Sequence, residues 1–272
     1  MNKHQKMIIT ATTANSWIYP EVKNWSQTAD ELISDVVKCY EAGAAIAHVH
    51  LPRGKEVEVV QRIRERCDVI IQAGMSSESI PNREGDFKSK PDMMSVMLSH
   101  HAEHFTQLTV DVLHPLNELK EYCKKCMEYN IKPEWEVWHT GSFWNLKYLI
   151  NTGLLDWSKP HFLTLFFNWP GGTWTPPKYD EYMHRKNYIP PECVHNVSVM
   201  GEEQMKLLVF VLTHGGNIRV GTEDYPFLSK GKPARDNAEI IEQYVNISKY
   251  VGREIADPSE ARKMLGLNQV KF

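Results

Sequence analysis

Short apolar runs alternate along this chain with longer segments in which apolar residues recur every three or four positions. Met7-Ile8-Ile9-Thr10-Ala11-Thr12 reads as a first strand. Thr28-Ala29-Asp30-Glu31 has the form of a capping box, in which a threonine side chain and a glutamate three residues on satisfy each other's backbone N–H. It predicts a helix with the apolar stripe Leu32, Val36, Val37 and Tyr40, stopped at Gly43. Further strands are expected at 44–50, 68–73, within 105–112, within 133–138, and at 162–167, 194–200 and 217–221. Helical periodicity falls between them, most clearly over 91–101, 116–129, 142–151 and 202–213.

Eight strands alternating with helices predict an α/β fold, a (β/α)8 TIM barrel, with one domain spanning 1–272. A doubly wound open sheet is the alternative, but no glycine-rich nucleotide turn follows the first strand. The Pro-, Gly- and Trp-rich stretch 168–191 reads as a long loop, of a length that suits a lid or an inter-subunit arm. The tail 233–267 reads as two closing helices, the second opened by Asp257-Pro258-Ser259-Glu260.

Composition narrows the class. Of 272 residues, 42% are hydrophobic, enough for a sizeable core. A net charge of −3 argues against a nucleic-acid surface, which needs a concentrated basic face. No apolar run approaches the roughly 20 residues that span a bilayer. The N-terminus lacks a secretory apolar region, and the five cysteines are scattered and odd in number, so reduced thiols in a cytoplasmic protein are expected. Cys123-Lys124-Lys125-Cys126 has no second CxxC to complete a zinc site, and it lies in a helical pattern. It reads as two ordinary helix residues.

The candidate chemistry gathers at strand ends. His48-Val49-His50 closes the second strand, where residues i and i+2 share a face and both imidazoles can point into the barrel mouth. With 12 histidines in the chain, an HxH alone is weak, and two rim histidines would explain it as well. The eighth strand runs into Arg219-Val220-Gly221-Thr222-Glu223-Asp224. Two histidines and Glu223 would make a three-ligand set for a catalytic zinc, on strands that flank strand one in a closed barrel. A barrel salt bridge followed by a solvated acidic loop is the alternative. Glu134 and Glu136 share a face of the fifth strand, and Arg219 is the expected partner of Glu136, in a pair that could be purely structural. His100, His101 and His104 are expected at a helix end on the opposite rim, away from any metal. Trp135 and Trp138 are expected to pack, with Trp169 and Trp174 the better candidates for a substrate contact.

These residues bring a family into view. The chain resembles the β-keto acid cleavage enzymes nearly end to end: in Ile9-Thr10-Ala11, in Glu41 to His50, in Pro133-Glu134-Trp135-Glu136-Val137, in Gly215 to Asp224, and in Ser259-Glu260-Ala261-Arg262. The combination of HxH with RVGxED is specific. The resemblance implies a zinc-dependent reaction of a β-keto acid with acetyl-CoA that yields acetoacetate and a new acyl-CoA. It implies His48, His50 and Glu223 as metal ligands, with nickel, cobalt or iron able to substitute for zinc. It also implies Asp224 as the base, Arg219 as its charged partner, Glu136 as support for that pair, Thr106 at the substrate, and a homotetramer.

Several positions depart from the family pattern. Leu51-Pro52-Arg53-Gly54 displaces an arginine and drops an acid, Gly74 stands where a serine is expected, Leu108 replaces a polar residue, and Tyr225-Pro226 follows Asp224. Two other readings remain: a non-catalytic metal-binding sensor on the same fold, and a metal hydrolase, which would place its HxH on strand one. The stretch Thr13-Ala14-Asn15-Ser16-Trp17 has no carboxylate to receive an ammonium, so an uncharged substrate tail is expected.

Overall fold

In the computed structural model, residues 6–105, 108–155 and 160–269 are described. The strands in chain order are β1 (Ile9–Thr12), β2 (Ile46–Val49), β3 (Ile70–Ala73), β4 (Met93–Met97), β5 (His100–His104), β6 (Thr109–Leu113), β7 (Lys132–Val137), β8 (His161–Phe167), β9 (Cys193–Val199) and β10 (Asn217–Gly221), followed by a short antiparallel pair, β11 (Phe227–Ser229) and β12 (Lys232–Pro233). Eight of them close a barrel in the order β1-β2-β3-β4-β7-β8-β9-β10 and back to β1, while β5 and β6 pair only with each other. Every barrel pairing is parallel, as a fold with helices on its outer face requires.

The expected strands lie where the apolar runs put them, with one exception. The fourth barrel strand is Met93–Met97, inside the segment read as a helix, while Thr109 to Val112, in the segment expected to supply it, pair antiparallel with β5 instead. The reason is physical. A barrel strand buried on both faces shows no alternation, and Met93, Met94, Val96 and Met97 are all fully buried. Methionine and leucine also favour helices intrinsically, so Met93, Met94, Met97 and Leu98 give the segment the wrong local signal.

Helices α1 (Ala29–Ala42), α2 (Glu56–Arg64), α3 (Glu84–Ser89), α4 (Leu116–Tyr129) and α5 (Ser142–Asn151) precede β8. They are followed by α6 (Tyr179–Lys186), α7 (Gln204–Thr213), α8 (Asn237–Tyr250) and α9 (Pro258–Leu265). Both sequence-marked capping boxes form: Thr28 caps α1, Asp257 caps α9, and α1 stops at Gly43. The stretch 168–191 is not all loop. Its second half is α6, whose amphipathic turns the Pro and Trp content had masked. The first half folds back over the hairpin: His104 N–H donates to Pro170 O at 2.8 Å, and Thr173 Oγ1 lies 3.3 Å from both Ala102 N and Ala102 O. A Cβ on Gly171 would come within 1.9 Å of Ala102 O, so only glycine allows this approach.

Cys123 and Cys126 are buried on α4, and desolvation pushes both thiols up to about 12, which leaves them protonated and inert. Among the described residues no helix is long and apolar enough to cross a membrane.

Candidate metal centre and active site

Strand register builds the centre. Thr12 on β1 is paired with His48 on one side and Gly221 on the other, so the ends of β2 and β10 face each other across a single strand. Gly221 has φ +147, and a Cβ there would collide with Thr12 O at 2.1 Å. The chain then turns, with Asp224 and Tyr225 N–H both donating to Gly221 O, and Glu223 is swung over the barrel mouth. His48 Nε2 lies 3.5 Å from Glu223 Oε2, and His50 Nε2 lies 3.6 Å from Glu223 Oε1. One donor atom from each of the three residues falls within 4.8 Å of the others.

The electrostatics match the geometry. Burial and the nearby Arg219 hold both imidazoles neutral: His48 lies well below the usual histidine range, and His50 is pushed down to about 4. His48 Nδ1 donates to Gln72 Oε1 at 2.9 Å, so the proton sits on Nδ1 and the Nε2 lone pair is free to coordinate. Glu223 Oε2 is buried without an aligned hydrogen bond, although Arg219 Nη2 is 2.9 Å away. A buried carboxylate oxygen left short of donors beside two imidazole lone pairs fits a divalent cation.

Gly74, just past β3, lies beneath both rings. A Cβ there would come within 2.4 Å of His50 Cδ2 and 2.7 Å of His48 Nε2. The glycine found in place of the expected serine is therefore what leaves room for the imidazoles. The fully buried Arg83 fixes this floor by donating to Ala73 O, Gly74 O and Ser95 O, tying together the ends of β3 and β4.

The structure corrects one expected partner of Arg219, Glu136, and keeps the other, Asp224. The Arg219 guanidinium pairs with Glu223 at 2.9 Å and Asp224 at 3.0 Å, not with Glu136. Glu136 instead accepts from Ser76 Oγ at 2.6 Å and Trp138 Nε1 at 3.0 Å. These donors follow from position, because Ser76 leaves β3 towards the mouth and Trp138 sits two residues along from Glu136. Asp224 is clasped by Arg219 and by Ser198 Oγ at 2.8 Å, and Ser198 in turn accepts from Trp169 Nε1. Asp224 has no exposed surface and lies behind Arg219, whereas Arg219, Glu223 and Glu136 reach the cavity wall. Thr106 lies outside the described residues.

The cavity at the mouth measures about 110 Å³, room for a small acid. Its far wall is the part that sequence reasoning misplaced. His101, expected on the opposite rim, lines this cavity from β5, as does Glu103, with Phe105 just past the strand and Trp138 and Trp169 beside them. His100 pairs with Asp111 at the surface, and His104 is exposed. The alternation Thr109-Val110-Asp111-Val112, half-buried in the structure, was the available sign of a hairpin. Trp135 is packed inside the barrel wall, and Trp174 is exposed on the loop.

A sequence profile described as "beta-keto acid cleavage enzyme" matches residues 6–267. The chain belongs to the β-keto acid cleavage enzyme family. It is 30% identical to the 3-keto-5-aminohexanoate cleavage enzyme of Acetoanaerobium sticklandii, over 97% of this chain and all of that one. It is 26% identical to the 3-dehydrocarnitine:acetyl-CoA trimethylamine transferase of Rhizobium meliloti, over 89% of this chain and 90% of that one. It is 24% identical to the 3-oxoadipate:acetyl-CoA acetyltransferase of Cupriavidus necator, over 90% and 89% respectively. The solved structure of ObcA in a binary complex with oxaloacetate superposes with a TM-score of 0.70 at 15% identity, covering 90% of this chain and 68% of that one, which supports the barrel fold. This β-keto acid cleavage enzyme is thus a C–C-cleaving acyltransferase by class, in preference to a sensor or a hydrolase.

Proposed function

We propose that the enzyme exchanges acyl groups between a β-keto acid and acetyl-CoA, giving acetoacetate and the acyl-CoA of the substrate's tail, with one zinc ion held by His48, His50 and Glu223. The observation that carries the reading is the convergence of two neutral imidazole Nε2 atoms and an under-hydrogen-bonded Glu223 oxygen beside Arg219, at the mouth of the barrel. Zinc held by these three residues would supply Lewis acidity to a substrate carbonyl.

The chain's own groups account for the rest. Arg219 presents a positive charge at the cavity wall, where the substrate carboxylate can dock. Asp224 takes the proton from the carbon between the two carbonyls. That carbon attacks the acetyl thioester and releases CoA thiolate. The thiolate then adds to the original β-carbonyl, and cleavage of the adjoining C–C bond releases a carbanion that takes the proton back from Asp224 to become acetoacetate, so atoms balance between the two substrates. Because Asp224 lies behind Arg219, its role as base requires the guanidinium to swing aside as substrate enters. Glu136, held by Ser76 and Trp138, supports the positive wall electrostatically. Thr106 completes the substrate contacts in this proposal, and the assembly is a homotetramer in the cytoplasm.

The test is acetoacetate release from a panel of β-keto acids, with and without acetyl-CoA, on protein whose metal has been counted. Release that depends on acetyl-CoA and on about one zinc per chain supports the reading. Release without CoA, or undiminished release after the metal is stripped, overturns it.

A further inference from the structure

The turn after Gly221 sets where Glu223 and Asp224 point, and its own anchor lies outside the cavity. Gly221, at φ +147, occupies backbone space that glycine enters freely, so it supplies the bend but cannot by itself hold it. Asp224 and Tyr225 N–H close one side of the turn on Gly221 O. That leaves the N–H of Thr222, a fully buried residue, and a buried N–H needs an acceptor. It finds one in Asn237 Oδ1 at 2.7 Å, on the first residue of α8.

Asn237 is itself fully buried and is held from its other end. Its Nδ2 donates to Asp35 Oδ2 at 2.7 Å, on α1, and lies 3.2 Å from Thr222 Oγ1. Burial pushes the Asp35 carboxyl up to about 6, which leaves it ionised at neutral pH and able only to accept. The Thr222 N–H can only donate. With an acceptor on one side and a donor on the other, the amide has a single orientation, and asparagine is the side chain of this length that meets both. Thr222 Oγ1 in turn donates to Ala14 O at 2.7 Å, in the segment between β1 and the cavity residue Trp17. The chain Asp35–Asn237–Thr222–Ala14 thus ties two helices and the loop after β1 to the residue that precedes Glu223.

We propose that Asn237, oriented by Asp35, is a positioning residue for the metal centre. By fixing the Thr222 peptide it holds Glu223 within reach of the His48 and His50 nitrogens, and Asp224 against Arg219. It acts through that peptide alone and touches neither metal nor substrate. The proposal rests on the zinc and acyl-exchange reading above.

Two variants separate orientation from packing. Asn237→Leu keeps the volume and removes both polar contacts. Asn237→Asp combined with Asp35→Asn reverses the donor and acceptor of the pair while keeping an acceptor for the Thr222 N–H. Zinc affinity is read by chelator competition on metal-free protein, and stability by the urea midpoint. Turnover is read by acetoacetate release with the β-keto acid that wild type uses fastest. Asn237→Leu is expected to bind zinc about 10- to 100-fold more weakly, the usual effect of losing a contact that orients a ligand. It should also lower kcat at least about tenfold at saturating zinc, because Asp224 moves with the turn. The reversed pair is expected to stay within about threefold of wild type in both. Unchanged zinc affinity in Asn237→Leu, with only the urea midpoint lowered, would make Asn237 a packing residue and overturn the proposal. A reversed pair as weak as the leucine variant overturns it too. If Asn237→Leu does not fold, Asn237→Asp alone takes its place at about pH 8, where two ionised carboxylates face each other. A loss of zinc affinity of about tenfold is then expected, with recovery on adding Asp35→Asn. No loss, or a loss that Asp35→Asn does not relieve, overturns the proposal. Failure of the functional reading looks different. Zinc binding that follows this pattern, in an enzyme that releases no acetoacetate from any β-keto acid tried, sinks the acyl exchange and leaves the Asn237 assignment standing. A wild type that holds no zinc overturns both.

Discussion

The cavity has two walls, and they are built on different principles. One is the ends of β2, β3 and β10, which carry His48, His50, Gly74, Arg219 and Glu223 on the backbone of a closed barrel. The other is the β5–β6 hairpin with the loop over 168–175, which carries His101, Glu103, Phe105 and Trp169. On the first wall, shared pairing to Thr12 sets the separation of His48 from Gly221, and Gly74 leaves no space to spare. On the second, a single two-stranded segment is held by a folded-back loop through Pro170 and Thr173. The barrel can keep its register while the hairpin wall changes, so the proposed reaction chemistry falls on the rigid wall and the second wall is the one that can vary.

Variants on the two walls should therefore fail differently, and the largest failure belongs to the metal. His48→Ala is expected to lose the bound zinc and to cut turnover about 10³-fold or more for every tail, since Lewis-acid stabilisation is worth several kcal/mol and each 1.4 kcal/mol is tenfold. Metal analysis of the purified variant decides this, and undiminished zinc would remove His48 from the ligand set. Asp224→Asn comes next. It should retain zinc and lower kcat by about 10²–10⁴-fold, the usual contribution of a positioned base. If KM rises and kcat holds, Asp224 only anchors Arg219.

Gly74→Ser sharpens the comparison from beneath. With a Cβ forced within 2.4 Å of His50, the rings must shift, and zinc affinity is expected to fall about 10- to 100-fold with little change in the ranking of tails. Competition with a calibrated chelator measures it. Unchanged affinity would mean that the imidazole positions are soft, and the contrast between the walls would weaken.

The smallest effect concerns a histidine at the other end of the barrel, touching neither wall. His195 is buried, and its Nε2 is 3.0 Å from Tyr182 Oη. Burial, Lys186 and Arg253 push the imidazole down to about 3. The folded protein thus excludes a proton that the unfolded chain accepts below about pH 6.5, so the stability held by the neutral ring is complete above 6.5 and is lost as pH falls towards 3. Between pH 7 and pH 5 this amounts to about 2 kcal/mol, order-of-magnitude. Urea unfolding of His195→Gln should show a smaller loss over that interval than wild type, and an identical loss would mean that His195 is already charged in the native state.

Local rules were enough for much of the molecule. The capping boxes at Thr28 and Asp257, the amphipathic pattern of α4, the HxH at the end of β2 and the acidic turn after β10 all depend on neighbours within a few residues, and a chain carries that information openly. Seven barrel strands were legible for the same reason. Tertiary structure alone decided the rest. Met93–Met97 is a strand because it is walled in by β3 and β7 on either side, a constraint that overrides the helical preference of its methionines. Arg219 reaches Glu223 rather than Glu136, besides the Asp224 that the family resemblance implied, because the turn after Gly221 brings Glu223 back over its own strand. Glu103 becomes part of the cavity only when a loop from some 70 residues away folds onto the hairpin, through Thr173 on Ala102. Such contacts join residues far apart in the chain, and no local pattern records which distant segment will supply the other half.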